Sequence, residues 1–79
     1  MYARELLNRI KWDYKSLNET VLVSYLHRGA PNDTVYVRGN EIVALKRSFF
    51  YTKDETAIPY HRILTITYKG KEIFRRRGQ

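Results

Sequence analysis

The sequence predicts an α+β domain, in which an N-terminal helix packs on an antiparallel sheet or open barrel of five to six short strands. Near the N-terminus, apolar residues recur at helical spacing. From Thr20 onward, runs rich in branched and aromatic residues replace that pattern, and turn-forming residues separate them. The chain has 79 residues, so we expect a single small basic domain over 1–79 with one core.

The helix is predicted over residues 3–11. Leu6, Leu7 and Ile10 fall on one stripe of such a helix, and charged residues fall outside that stripe. We expect Trp12 to cap this apolar face. The polar stretch 13–19 predicts a loop.

Six later segments have the composition of strands. They are residues 21–28, 34–38, 41–46, 47–51, 63–68 and 72–75. The third segment could also form a short helical turn, and the fourth could simply continue the third. Pro59 ends a further short extended piece, because the residue before a proline avoids the helical region. Arg75-Arg76-Arg77 is expected to fray into a basic tail.

The charge balance favours a polyanionic partner. Fifteen Lys and Arg against eight Asp and Glu give a net charge of +7, although such a surplus can also serve solubility alone. The absence of cysteine excludes disulfides and thiol chemistry, and with two histidines we expect no metal and no cofactor. No apolar run approaches the roughly 20 residues of a membrane span, so a cytoplasmic protein without membrane contacts is expected.

Two His-Arg dipeptides are the most informative polar feature. His27-Arg28 precedes a Gly-Ala-Pro turn, and His61-Arg62 follows Pro59-Tyr60. An imidazole exchanges protons near neutral pH, and the guanidinium fork matches phosphate oxygens. In the predicted strand 21–28, His27 ends a largely apolar row, so it could instead be a half-buried residue at the edge of the core.

The second dipeptide lies where rigid flanks hold a loop, which is where functional side chains concentrate. Tyr60 adds a flat ring that could stack on a base or ribose. The same segment could instead be a structural corner, in which His61 bonds a carbonyl and Arg62 pairs with Asp54 or Glu55.

Lys46-Arg47-Ser48 places two cations and a hydroxyl directly before three aromatic residues. Nucleic-acid surfaces need such cations for phosphates and rings for bases. An ordinary amphipathic strand has the same pattern, with its aromatic residues in the core. The arginines of the basic tail would add attraction for phosphates that is independent of sequence.

Several motifs also occur together in a characteristic order and spacing. They are the segment 4–13, the turn 27–31, Arg47-Ser48-Phe49, the segment 58–63 and the closing segment 68–75. On these motifs the chain resembles a small, mainly archaeal family, the RNA cyclic group end recognition domain. Similar domains in eukaryotes are attached to larger RNA-related proteins. The last aromatic of the family is often Trp, whereas this chain has Phe74.

The resemblance implies a module that recognises RNA ends, in particular 2′,3′-cyclic phosphate ends, with RNA-processing proteins as further partners. It implies roles in binding for the matched polar positions, which are His27, Arg28, Arg47, Ser48, His61 and Arg62. Tyr60 would shape the same pocket. Binding without catalysis is the leading interpretation.

Two alternatives remain open. One is an RNA-end phosphodiesterase in which His27 and His61 act as general acid and base, with cations stabilising the developing charge. This requires both rings to reach one phosphate. The other is an adaptor whose basic surface contacts RNA or an acidic protein without reading the end.

Overall fold

The computed structural model describes residues 3–14 and 20–76, without the side chains of residues 13 and 14. These residues form one helix and seven strands. They are α1 (Ala3–Tyr14), β1 (Val21–Leu26), β2 (Thr34–Arg38), β3 (Ile42–Leu45), β4 (Phe49–Thr52), β5 (Ala57–Pro59), β6 (Ile63–Tyr68) and β7 (Lys71–Arg75). Single 3-10 turns precede β2, β3 and β6 and span Pro31–Asp33, Gly39–Glu41 and Tyr60–Arg62.

The strands form two antiparallel sheets, which confirms the α+β class. One sheet has the order β2-β1-β6-β7, and the other has the order β3-β4-β5. The prediction of five to six strands was low by at least one. Segments 41–46 and 47–51 are separate strands, because the backbone turns between them and the Lys46 amide donates to the Phe49 carbonyl at 2.9 Å.

The core lies between α1 and the two sheets. Helix α1 contributes the buried side chains of Ala3, Leu7 and Ile10. The strands contribute the remaining buried apolar side chains, which are Val21, Val23, Val37, Phe50, Ile58, Ile63 and Ile66. Each of these residues lies in the helix or in a strand, so the predicted helical and alternating patterns identify most of the core.

The prediction that Trp12 caps the apolar face of the helix was wrong, since its side chain is 85% exposed. A helix turns by about 100° per residue, so Trp12 lies about 200° around the axis from the buried Ile10. The helix also continues beyond residue 11 to Tyr14. The rest of the predicted loop, residues 15–19, is outside the described part of the chain.

The first strand ends at Leu26 rather than at residue 28. The chain leaves the extended conformation there because Gly29, Asn32 and Asp33 all have positive φ values, of 97°, 56° and 54°. His27 and Arg28 therefore begin an exposed loop and do not continue the row of Val21 and Val23. The described residues contain no helix long and apolar enough to cross a membrane.

Candidate functional site

Three strand ends meet at one end of the four-stranded sheet. Strand β6 runs antiparallel to both β1 and β7, so the end of β1, the beginning of β6 and the end of β7 are neighbours. Tyr25 lies opposite Ile63 in the β1–β6 ladder, and the Arg76 amide donates to the Leu64 carbonyl at 2.8 Å. Residues just beyond these pairs therefore lie side by side, although they are distant in sequence.

The side chains at this end form a cavity of about 370 Å³, which we call the cationic groove. Its lining combines both His-Arg dipeptides with two further residues and consists of Leu26, His27, Arg28, His61, Arg62 and Arg76. The volume lies within the range of about 300–1,000 Å³ that is usual for small-molecule sites. Among the described residues no carboxylate lines the groove, so the guanidinium groups of Arg28, Arg62 and Arg76 share it without a neutralising partner.

None of these five polar side chains makes a hydrogen bond or ion pair with another residue of the described ranges. The alternative in which Arg62 pairs with an acidic neighbour is therefore not the arrangement found. Asp54 instead accepts hydrogen bonds from Thr52 and Thr56. Clustered like charges repel one another, and a bound anion would relieve that repulsion.

The loop that carries His27 and Arg28 is held by its own backbone. The His27 amide donates to the Asp33 carbonyl at 2.8 Å, and the Ala30 amide donates to the His27 carbonyl at 3.2 Å. The Gly29 amide also donates to the Asp33 carboxylate at 3.3 Å. These bonds fix the entry of the loop, and with it the position of His27.

The segment that carries His61 and Arg62 is held by Tyr60. Its hydroxyl donates to the Lys46 carbonyl at 2.6 Å, and its amide donates to the Ser48 carbonyl at 3.2 Å. The ring lies 5.9 Å from that of Phe50 and packs against the core. Burial raises the pKa of the Tyr60 hydroxyl, although the nearby Arg4 acts in the opposite sense. Tyr60 thus anchors the 3-10 turn from which the two functional candidates project.

Lys46, Arg47 and Ser48 form the exposed turn between β3 and β4. Their backbone adjoins Tyr60, but their side chains do not line the cationic groove. The structure therefore brings together four of the eight predicted site residues, which are His27, Arg28, His61 and Arg62.

A second cavity, of about 410 Å³, adjoins the first and shares His27 and Arg62 with it. We call it the apolar groove, because the rest of its lining is mostly apolar and consists of Tyr25, Val35, Thr56, Ala57, Ile58 and Pro59. It lies between β2 and β5, which are edge strands of the two sheets. No local sequence pattern indicates it, since its walls meet only through the packing of one sheet against the other.

Arg76 is a groove residue that the sequence interpretation missed, because that interpretation assigned it to a frayed tail. Arg75 belongs to β7 and forms a bidentate ion pair with Glu72. Its Nε donates to Oε2 at 2.8 Å, and its Nη2 donates to Oε1 at 2.7 Å. Arg76 follows that strand directly and lines the cationic groove. A simple count of the hairpin register back from its turn would not have placed it there, because a register shift between Ile66 and Thr67 moves the later pairs by one residue. Arg77 lies outside the described residues.

The region beyond Tyr25 has a different charge. Glu41, Asp54 and one cation, Lys53, line a cavity there that shares Tyr25, Val35 and Thr56 with the apolar groove. Hydrogen bonds from Thr52 and Thr56 hold the pKa of Asp54 below its usual value. Burial raises the pKa of the Tyr25 hydroxyl, and the carboxylates of Asp54 and Glu41 add to that rise.

Comparison with known proteins places these features in context. A family model described as the MJ1316 RNA cyclic group end recognition domain matches residues 1–76. A UPF0248 protein of Methanococcus maripaludis is 41% identical over 76 residues, covering 94% of this chain and 97% of that protein. A UPF0248 protein of Thermococcus sibiricus is 32% identical over 78 residues, covering 98% and 87%. No solved structure gives a significant match to the chain.

Proposed function

The chain belongs to the RNA cyclic group end recognition domain family, as its motifs predicted, and from this premise we propose that it binds RNA termini through the cationic groove. The ligand is a terminal phosphate, in particular the 2′,3′-cyclic phosphate. Arg28, Arg62 and Arg76 contact the phosphate oxygens, and His27 and His61 supply further hydrogen bonds.

The observation that carries this proposal is the convergence of both His-Arg dipeptides and Arg76 on one cavity, which no carboxylate of residues 3–12 and 20–76 lines. A patch of cations spread over the surface would favour any polyanion equally. Five donors around one cavity instead suit a compact anion with several acceptor oxygens. A terminal phosphate meets this description, since a linear 3′-phosphate presents three non-bridging oxygens and a cyclic phosphate presents two at the very end of the chain. An internal phosphodiester carries the chain on both sides, which hinders its entry into a cavity.

The exposed turn of Lys46, Arg47 and Ser48 contributes outside the groove in this proposal. Its two cations attract the phosphates of the strand that leads away from the bound end, and the Ser48 hydroxyl adds a short hydrogen bond. Contacts of this kind position RNA without distinguishing one end from another. Tyr60 supports both parts of the interface through its bonds to Lys46 and Ser48.

Three short RNAs of identical sequence test the proposal. They end in a 2′,3′-cyclic phosphate, a linear 3′-phosphate or a hydroxyl, and each is titrated at the same moderate salt concentration and then recovered for analysis of its end. Charge-assisted hydrogen bonds are worth about 1.5–3 kcal/mol, so phosphorylated ends should bind roughly ten- to a hundredfold more tightly. Equal affinity for all three, with intact ends, would leave only a basic adaptor surface.

A second candidate function is supported by one specific observation, the presence of His27 and His61 in the same groove. One imidazole could take a proton from water as that water attacks the cyclic phosphorus. The other could protonate the ribose oxygen whose bond to phosphorus breaks, and a linear phosphate monoester would remain. In the same assay, conversion of the cyclic end to the linear end would identify this activity.

A further inference from the structure

The cationic groove does not end at its arginines. His27 and Arg62 line both it and the apolar groove, so a ligand held by these two residues extends directly onto apolar surface. The apolar groove is as large as the cationic one, and its volume of about 410 Å³ also lies within the range of about 300–1,000 Å³ for small-molecule sites. A phosphate group alone would leave it empty.

We propose that the apolar groove holds the terminal nucleoside of the RNA, so that the protein binds an unpaired terminal nucleotide rather than a phosphate group alone. This inference rests on the proposed function, because the phosphate in the cationic groove fixes where the nucleoside begins. It adds a requirement for a base that is not part of a duplex.

The lining of the apolar groove suits this occupant. Tyr25 offers an aromatic ring, and Val35 and Pro59 offer apolar surface for a base and ribose. Proteins that bind single-stranded RNA hold unstacked bases on such surfaces. The Tyr25 hydroxyl can donate to the edge of the base or accept from it, and the Thr56 hydroxyl, which donates to Asp54, can still accept. A base paired in a duplex has its edge occupied and its partner strand beside it, so it cannot enter between β2 and β5.

The charges at the two ends of the joined grooves predict the orientation of the bound nucleotide. Arg28, Arg62 and Arg76 lie at one end. Glu41 and Asp54 lie beyond Tyr25 at the other end, together with the cation Lys53. Carboxylates repel a phosphate but accept hydrogen bonds from the amino groups of bases. The phosphate therefore occupies the arginine end, and the base points toward Tyr25.

The test compares two RNAs that both end in a linear 3′-phosphate. One carries a normal terminal nucleotide, and the other has an abasic sugar at that position. The wild-type protein should bind the abasic RNA about tenfold more weakly, because base-to-aromatic stacking is lost. Ala57→Trp fills the apolar groove from an exposed position and should remove this preference. Val43→Trp introduces the same side chain at an exposed position of β3, which is the opposite edge of the same sheet. It should leave the affinities for the normal and the abasic RNA unchanged.

A second measurement uses only the wild-type protein and therefore tests the inference even if a variant does not fold. The same phosphorylated end is presented single-stranded or paired in a blunt duplex, and the paired end should bind at least about tenfold more weakly. Equal affinity for nucleotide, abasic and paired ends, each tighter than a hydroxyl end, would overturn this inference and leave the proposed function standing. Failure to distinguish phosphate from hydroxyl ends would overturn both.

Discussion

Tyr25 lies opposite Ile63 in the β1–β6 ladder, and this pair brings His27 and His61 into one groove. Each histidine lies two residues beyond its member of the pair, His27 after Tyr25 and His61 before Ile63. Antiparallel strands carry such positions past the same end of a sheet. The convergence of the two His-Arg dipeptides is thus a consequence of register.

The two histidines should contribute to binding rather than to turnover. We expect the wild-type protein to leave cyclic ends intact and His27→Ala and His61→Ala each to weaken binding to phosphorylated ends by roughly fivefold, as for loss of one hydrogen bond of about 1 kcal/mol. Titration and end analysis of the same samples check this. Slow conversion of the cyclic end that has a bell-shaped pH profile and disappears in the double variant would establish the phosphodiesterase instead.

Substitution of Arg62 and substitution of Arg47 should have different effects on the affinity for the three RNA ends. Arg62 lines the cationic groove and Arg47 does not. Arg62→Ala should therefore weaken binding to phosphorylated ends about ten- to a hundredfold and binding to a hydroxyl end much less. Arg47→Ala should weaken binding to all three ends equally, by a few fold, because it removes one contact to the strand. Selective loss of phosphorylated ends in Arg47→Ala would place Arg47 at the terminal phosphate.

The sequence interpretation identified the local parts of this fold well. The closing hairpin is predicted over 63–68 and 72–75, and the structure has β6 and β7 at Ile63–Tyr68 and Lys71–Arg75. Pro59 ends a short extended segment, as predicted, and that segment is β5. The division into two sheets was beyond prediction, because it depends on which strands pair at long range and not on the pattern within any strand.

For the candidate site, too, the local features could be predicted and the long-range contacts could not. His27, Arg28, His61 and Arg62 attract attention because imidazole and guanidinium groups are adjacent in sequence. Their convergence requires the pairing of β1 with β6, which no local signal gives. The apolar groove is harder still, since Val35 and Ala57 are ordinary strand residues that become neighbours only when two sheet edges approach each other.

Tyr60→Phe should reduce stability more than binding. The Tyr60 hydroxyl donates to the Lys46 carbonyl at 2.6 Å, so its loss should lower the free energy of unfolding by about 1 kcal/mol. Urea denaturation measures this, with Tyr36→Phe as the matched control because Tyr36 is 63% exposed. The affinity for phosphorylated RNA ends should stay within about twofold, because one remote hydrogen bond is lost. A larger drop in affinity than in stability would mean that the hydroxyl contacts the ligand.

Asp54 should make stability depend on pH. Hydrogen bonds from Thr52 and Thr56 lower its pKa in the folded state below the ordinary value of 3.8. The folded state therefore holds this proton less tightly than the unfolded state does. Its stabilising contribution is fully present above about pH 4 and is lost as the pH falls through the folded-state pKa.

Comparison with Asp54→Asn isolates that contribution. The variant should be less stable than the wild type at neutral pH, and the difference should shrink in acid, as measured by urea denaturation at a series of pH values. Glu55→Gln removes the same charge from the neighbouring exposed position and serves as the control. A difference between wild type and Asp54→Asn that stays constant down to strong acid would contradict the assigned hydrogen bonds.

Arg76 and Arg75 provide the most closely matched test of the cationic groove. They are adjacent and carry the same charge, but Arg76 lines the groove whereas Arg75 pairs with Glu72 at the strand surface. Arg76→Ala should weaken binding to phosphorylated ends about ten- to a hundredfold, as expected for loss of a hydrogen bond between charged groups. Arg75→Ala should change it only by the small amount due to net charge. Equal losses in the two variants would mean that the groove attracts RNA by charge alone, and its geometry would then have no part in recognising the end.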